Sequence, residues 1–375
     1  MHIYFDNAST TPLYPEVIEE MFEVQKSIIG NPSSIHYHGR NARATIEKAR
    51  KVIAEYIHAS VGEVYFTSGA TESNNWVLRS AVSSLGVQHL VVSAIEHPCV
   101  LKTSRALETE GRIQLHILPV DENGSVDLIQ LRNVLGAIDG KVLVSIMHGN
   151  NEIGTMQPIQ EIGEICHHYS ALFHCDAVQT ITKYPINLQS LKVHFLSASA
   201  HKFHGPKGVG FLFMRNDAIL RPLLLGGSQE RSVRAGTENV AGIAGMAKAF
   251  QLSCDNMEGN RIYTLSLKDR VMHRLGTSQT DIRFNGTLNQ HSLSHILSVS
   301  LPPTLKSDMV VMNLDIEGIS VSSGSACSAG IEEDSHVLQA IHHPIQRKAI
   351  RCSFSKFNTM DEVDFCCDVI LRLLA

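Results

Sequence analysis

Lys202 stands just past an apolar run in SASAHKFHGPKGVGFLF (197–213), with Ser199 and His201 within four residues. A lysine amine buried near other cations loses proton affinity and becomes usable for Schiff-base chemistry. Taken alone, a solvated loop lysine is the plainer reading. The company it keeps in the chain changes the weight. TSGATES (67–73) follows an apolar run and opens a helical pattern. There, unpaired helix N–H groups, Ala70 beside a glycine and the Thr71 hydroxyl could cradle a phosphate; the rival is an ordinary capped turn. No Gly-Lys-Ser/Thr follows, so it is not a nucleotide phosphate loop. In FHCDAVQ (173–179), Asp176 could pair with a protonated ring nitrogen and Gln179 could donate to a ring oxygen. The same spacing also spells a capping box. His97, in SAIEHPCVL, could stack on an aromatic cofactor or carry protons, or simply cap a helix. Cys327 sits in SSGSACSAG (322–330), a run of small residues that leaves a thiol accessible; a free loop cysteine is the alternative. Arg351, inside the apolar run of AIRCSFSKFNT, needs an anionic partner. A substrate carboxylate or a structural ion pair would each serve.

The elements that carry these residues read as strand alternating with helix. Short apolar runs at 64–67, 89–94, 113–118, 142–147, 171–176, 195–199 and 209–213 predict strands. Helical stretches are expected at 72–85, 98–110, 127–136 and 159–169. Such alternation implies crossover connections, hence a mostly parallel sheet with helices on both faces, and ligands outside the carboxyl ends of its strands. The candidate residues fall at those ends. After Gly236 the pattern changes: a long helix over 240–275, strands near 296–301 and 349–354, helices near 307–317 and 360–374. The C-terminal third therefore reads as a smaller α+β domain, with the N-terminal arm packed against it.

Composition narrows the function. The 375 residues are 43% hydrophobic and 18% charged, enough for a sizeable core in two domains. Net charge is −5, without the basic excess that nucleic-acid binding requires. No apolar run spans a bilayer, and the N-terminus lacks a signal-peptide pattern. Eight scattered cysteines suggest neither a disulfide framework nor a zinc site. Apart from Cys327 they read as core fillers or incidental surface thiols, and the chain as a reduced, cytoplasmic protein.

In order along the chain stand YFDNASTTP, GNPSS, FTSGATESNN, EHPCVL, NNEIGTMQPI, FHCDAVQ, SASAHKFHGPKGVG, RAGTENV and SSGSACSAG. Each motif alone is weak; the ordered set is specific, and it resembles the cysteine desulfurases of the NifS/IscS group. The resemblance implies the type I pyridoxal-phosphate-dependent transferase fold. It implies a large domain of residues 15–255 with a mostly parallel seven-stranded sheet, and a small α+β domain of residues 1–14 and 256–375 carrying the cysteine loop. It implies a homodimer with pyridoxal 5'-phosphate held covalently by Lys202. Ala70, Thr71, Ser199 and His201 match the phosphate cradle, and Thr237 a phosphate contact made from the neighbouring subunit. Asp176 matches the partner of the pyridine nitrogen, Gln179 the partner of the ring oxygen, and His97 the stacking histidine. Asn151 matches a contact to cofactor and substrate, Arg351 the clamp on the L-cysteine carboxylate, and Cys327 the persulfide-forming nucleophile. Delivery of sulfur to an acceptor such as an iron–sulfur scaffold is implied, with transient cluster contact at Cys327. Some positions depart from the family pattern: RAGT for RSGT, EEDSHVL where Pro-Ser-His is usual, and Ser355-Lys356 for Gly-Arg. These bear on partner surface and subgroup. A selenocysteine lyase or aminotransferase on the same fold, a non-catalytic sulfur-relay subunit and a nucleotide-binding protein are the alternatives; the last lacks its phosphate-loop lysine and dinucleotide fingerprint.

Overall fold

Residues 2–304, 307–323 and 335–374 are described by a computed structural model of the chain. The N-terminal arm forms a short strand, β1 (Ile3–Tyr4), followed by two helices, α1 (Pro15–Ser27) and α2 (Tyr37–Tyr56). Neither helix was marked by the strand–helix pattern. In α1 the reason is plain: Val17 and Val24 are buried, but Ile18 and Phe22 face outward, so its apolar residues do not share one stripe.

The apolar runs then become the strands β2 (Val64–Thr67), β3 (His89–Ser93), β4 (Gln114–Leu118), β5 (Val142–Ser145), β6 (Leu172–Asp176), β7 (Phe195–Ser199) and β8 (Gly210–Met214). They form one sheet in the order β2-β8-β7-β6-β5-β3-β4. β8 runs against the shared direction of the other six strands. β2, β5, β7 and β8 are buried at every residue, as strands covered on both faces must be. The helices between them are α3 (Ala70–Ser80), α4 (Pro98–Thr109), α5 (Leu128–Ala137) and α6 (Ile159–His168). Local chemistry sets their starts. Pro98 occupies the first turn of α4 behind the His97 cap, and Asp127 caps α5 by accepting from the Ile129 amide at 2.8 Å.

The expected long helix over 240–275 is two: α7 (Val240–Asp255) and α8 (Met257–Gly276). Asn256, at φ −110 and ψ 15, is out of helical geometry and lets the second helix turn away. α7 packs on α1 and α2 against the sheet. α8 packs on the last helix of the chain.

The remaining elements are β9 (Arg283–Asn285), β10 (Ile296–Leu301), α9 (Val310–Ile316), β11 (Ile319–Ser320), β12 (Ser322–Ser323), α10 (His336–Ala340), β13 (Lys348–Ser353) and α11 (Met360–Leu374). An antiparallel sheet in the order β12-β13-β10-β9 packs on α8 and α11. β1 pairs in parallel with β11, and Ile3 and Phe5 are buried in this C-terminal core. The N-terminal arm thus packs with the C-terminal third. Burying each of these side chains contributes about 1.5–3 kcal/mol, which fixes residues 6–10 as they pass from one core to the other.

Candidate active site

The carboxyl ends of β2, β3, β5, β6 and β7 open on one cavity of about 600 Å³. The N-terminal arm, β13 and the start of α10 close its far side. Among the described residues, every candidate lines this cavity except Thr237. Thr237 is exposed and outside it. Cys327 lies outside the described residues, between β12 and α10.

Lys202 sits on a short 3-10 turn directly after β7. Its Nζ donates to the carbonyls of Ala8 and Ser9, both at 2.7 Å. Lys183 lies behind it, partly buried, donating to the Lys202 carbonyl at 2.9 Å. Burial first, then the Lys202 charge, pushes the Lys183 amine down to about 7.

Asp176 ends β6 and is nearly buried. Asn74 Nδ2 donates to its Oδ2 at 2.7 Å, and the Val178 amide to its Oδ1 at 3.1 Å. Three residues on, Gln179 donates from Nε2 to the Ala8 carbonyl at 3.0 Å. His295, fully buried, approaches the Gln179 Oε1 at 3.4 Å. So the Asp-x-x-Gln spacing is not a capping box; both side chains turn to the cavity and to other elements.

The start of α3 opens on the cavity without a side-chain cap among the described residues. Gly69 sits at φ +149. A Cβ on Gly69 would meet Ser199 Oγ at 3.3 Å. The first amides of α3, at Ala70 and Thr71, therefore face the cavity beside Ser199 and His201 with no intrahelical partner. His201 is pushed down to about 4 by burial, then by the Lys202 charge, and its Nδ1 lies 3.2 Å from Thr10 Oγ1.

His97 caps α4, its Nδ1 accepting the Cys99 amide at 3.1 Å. The proton of the neutral ring consequently sits on Nε2, the nitrogen left for the cavity. Burial, opposed by Asp176 and reinforced by Lys202, lowers its pKa and favours that neutral form. Cys99 corrects the reading of the other cysteines as fillers. It lines the cavity, with Sγ 2.9 Å from His97 Nδ1 and 3.2 Å from Asn74 Nδ2. Burial, with help from Asp176, pushes its thiol up to about 12, so it is a neutral donor rather than a nucleophile.

Arg351, on β13, is 2% exposed. Nη1 donates to the Asn151 carbonyl at 2.8 Å, and Nη2 to Asp6 Oδ1 at 2.7 Å. Next to Asn151, Glu152 accepts from Ser335 Oγ at 2.5 Å, and burial pushes its carboxyl up to about 7. His336 donates from Nε2 to the Glu96 carbonyl at 2.9 Å. These two bonds fix the chain immediately after residue 334 to the cavity wall.

The motifs did not reveal Asn74, Cys99, Glu152, His295 or Asp6 as members of the site. Asn74 stood in the quoted FTSGATESNN and Glu152 in NNEIGTMQPI. A polar residue one helical turn after the start of α3 is the available signal for Asn74.

A parallel sheet that brings a lysine amine, a buried carboxylate and an uncapped helix N-terminus to one cavity defines a type I pyridoxal-phosphate-dependent transferase fold. The family model of the class-V aminotransferases matches residues 3–365. A cysteine desulfurase IscS of Dictyoglomus turgidum is 42% identical over 376 residues, covering 99% of this chain and 94% of the relative. A putative cysteine desulfurase IscS 1 of Bacillus subtilis is 41% identical, with 99% of each chain covered. Among solved structures, a NifS-like protein superposes with a TM-score of 0.92 at 37% identity, covering 100% of this chain and 99% of the other. SspA in complex with cysteine gives 0.81 at 31% identity, covering 95% and 100%. The chain belongs to the class-V aminotransferase family, in its NifS/IscS cysteine desulfurase branch.

Proposed function

We propose that this chain is a pyridoxal-phosphate-dependent cysteine desulfurase. It converts L-cysteine to L-alanine and takes the sulfur onto Cys327 as a persulfide. An acceptor protein then receives that sulfur, in the service of iron–sulfur cluster assembly. The reading includes a homodimer acting in the cytoplasm. The observation that carries it is the convergence of Lys202, Asp176 and the uncapped start of α3 on one cavity, in a chain 42% identical to a cysteine desulfurase.

The residues present fit the cofactor. The amides of Ala70 and Thr71, with Ser199 and His201, suit a phosphate dianion, and Gly69 leaves the room a Cβ would take. Asp176, held by Asn74 and Val178, suits a protonated pyridine nitrogen. Gln179 retains a second amide hydrogen for the ring oxygen, and Lys202 offers the amine. Thr237, exposed on its own protomer, suits a phosphate contact across a dimer interface. When bound, the cofactor supplies an electron sink for negative charge at the substrate α-carbon.

The chain's own groups do the rest. Arg351 and Asn151 orient the substrate carboxylate. The Lys202 amine takes the α-proton as general base. His97 presents Nε2–H toward the cavity and holds a proton there. The Cys327 thiolate attacks the substrate sulfur: an S–S bond forms, the Cβ–S bond breaks, and its electron pair stays with the carbon that becomes the alanine methyl. The described cysteines are free thiols, which supports a reducing compartment. Among the described residues no helix is long and apolar enough to cross a membrane.

Incubating the loaded protein with L-cysteine and a reductant tests the reading. Alanine and sulfide should appear in equal amounts. Cys327→Ala should keep the visible absorbance of the bound cofactor and lose sulfide release. Unchanged sulfide release from that variant removes the nucleophile assignment.

A further inference from the structure

Arg351, the arm assigned above to the substrate carboxylate, already carries a carboxylate from its own chain. Asp6 Oδ1 accepts from Arg351 Nη2 at 2.7 Å. The same oxygen accepts from Ser9 Oγ and from Ser322 Oγ, each at 2.8 Å. Ser9 Oγ in turn accepts from Arg351 Nη2 at 2.6 Å, and Ser322 Oγ at 3.2 Å. Asp6 is fixed in place by its bridge to Ser353, two residues along β13 from the arginine. Arg351 Nε is buried without a hydrogen-bond partner among the described residues. Asp6 thus neutralises the guanidinium charge before any ligand arrives.

We propose that Asp6 is a positioning residue that sets how weakly the site holds an α-carboxylate. A guanidinium that is 2% exposed and lacks a counter-charge binds any carboxylate tightly, because the buried charge is costly alone. Substrate L-cysteine and product L-alanine carry the same carboxylate, so an unneutralised Arg351 would retain the product. Asp6 supplies the counter-charge in advance. A ligand carboxylate gains only the difference, and alanine can leave. Ser9 and Ser322 hold Asp6 against the arginine, so its charge stays in register without a second anion.

The inference rests on the assignment of Arg351, and the test separates the two. Holoenzyme is titrated calorimetrically with L-alanine and with L-alaninamide, which lacks the carboxylate. Asp6→Asn keeps an acceptor oxygen and removes the charge. It should tighten alanine by about tenfold and leave alaninamide unchanged. Asp6→Ser gives the same comparison if the first variant folds poorly. In Arg351→Ala the two ligands should bind alike. Alanine binding that is unchanged or weaker in the Asp6 variants, with Arg351→Ala behaving as expected, overturns the role of Asp6 alone. A preference for alanine that survives Arg351→Ala overturns both.

Discussion

Glu96 sits fully buried one residue before His97, with Oε1 accepting from Ser93 Oγ at 2.5 Å and from the Met147 amide at 3.0 Å. Among the described residues, Oε2 has no hydrogen-bond partner. Burial pushes this carboxyl up to about 8 from 4.5, with Asp176 adding to the rise. An acid whose folded pKa is raised stabilises the fold fully below its unfolded pKa and loses that contribution as pH climbs through the folded value. The window here runs from about 4.5 to about 8. Glu96→Gln keeps the shape without the titration. Its melting temperature relative to wild type should therefore rise steadily between pH 5 and pH 8; a difference independent of pH would contradict the raised carboxyl. Asn74 offers a second residue-level prediction. Its amide holds Asp176 at 2.7 Å. Asn74→Ala should lower turnover of L-cysteine by about tenfold with little change in KM, because a hydrogen bond to a charged group is lost at the proposed partner of the cofactor ring. A pure KM effect would move Asn74 out of that role.

At the scale of elements, β8 is wedged between β2 and β7 by a glycine. A Cβ on Gly210 would lie 2.4 Å from the Ala198 carbonyl and 2.8 Å from Gly69 Cα. Both are backbone atoms, so nothing yields cheaply. Gly210→Ala should destabilise the protein by about 3 kcal/mol, read as a lower denaturation midpoint. It should also weaken cofactor retention, since the atom pushed is in the turn that opens α3. A second element is held by charge. Glu230, Arg231 and Ser232 have successive φ values of 43, 59 and 67, a costly run for residues with side chains. Arg50 on α2 clamps Glu230 through two 2.8 Å hydrogen bonds, both groups being buried, and the Phe66 amide donates to the same carboxylate at 2.9 Å. Arg50→Met should cost roughly 3–5 kcal/mol by stranding Glu230. Amide exchange around 228–237 should accelerate more than elsewhere; uniform acceleration would argue against a local clamp.

At the scale of the molecule, the site is assembled by two cores. The sheet supplies the proposed cofactor groups, and the C-terminal core supplies Arg351, while residues 6–10 run between them. Cofactor binding should consequently stabilise the whole protein, raising the melting temperature of loaded over unloaded enzyme. Thr237 bears on the proposed dimer. Exposed and outside its own cavity, it is assigned a phosphate contact in the partner's site. Thr237→Ala should speed cofactor loss on dialysis at concentrations that keep the dimer, and make no difference once dilution has separated the subunits. An effect that persists in the monomer would place Thr237 in its own site.

What the sequence determined by itself was local. The strands at 64–67, 195–199 and 296–301 and the helix at 360–374 were legible to the residue, because apolar period and end signals act over a few positions. The strand ends then pointed to Lys202, Asp176 and His97, since a parallel sheet places ligands there. The tertiary structure decided what depends on distant pairs. Asp6 and Arg351 meet across 345 positions and Asn74 and Asp176 across 102. No local pattern records such meetings. Cys99 read as an incidental thiol until folding set its sulfur against His97, and the break at Asn256 was hidden in an otherwise helical stretch. Hydrophobic burial fixed the elements from nearby residues. The charges and hydrogen bonds of the site take partners that only the packing of those elements brings within reach.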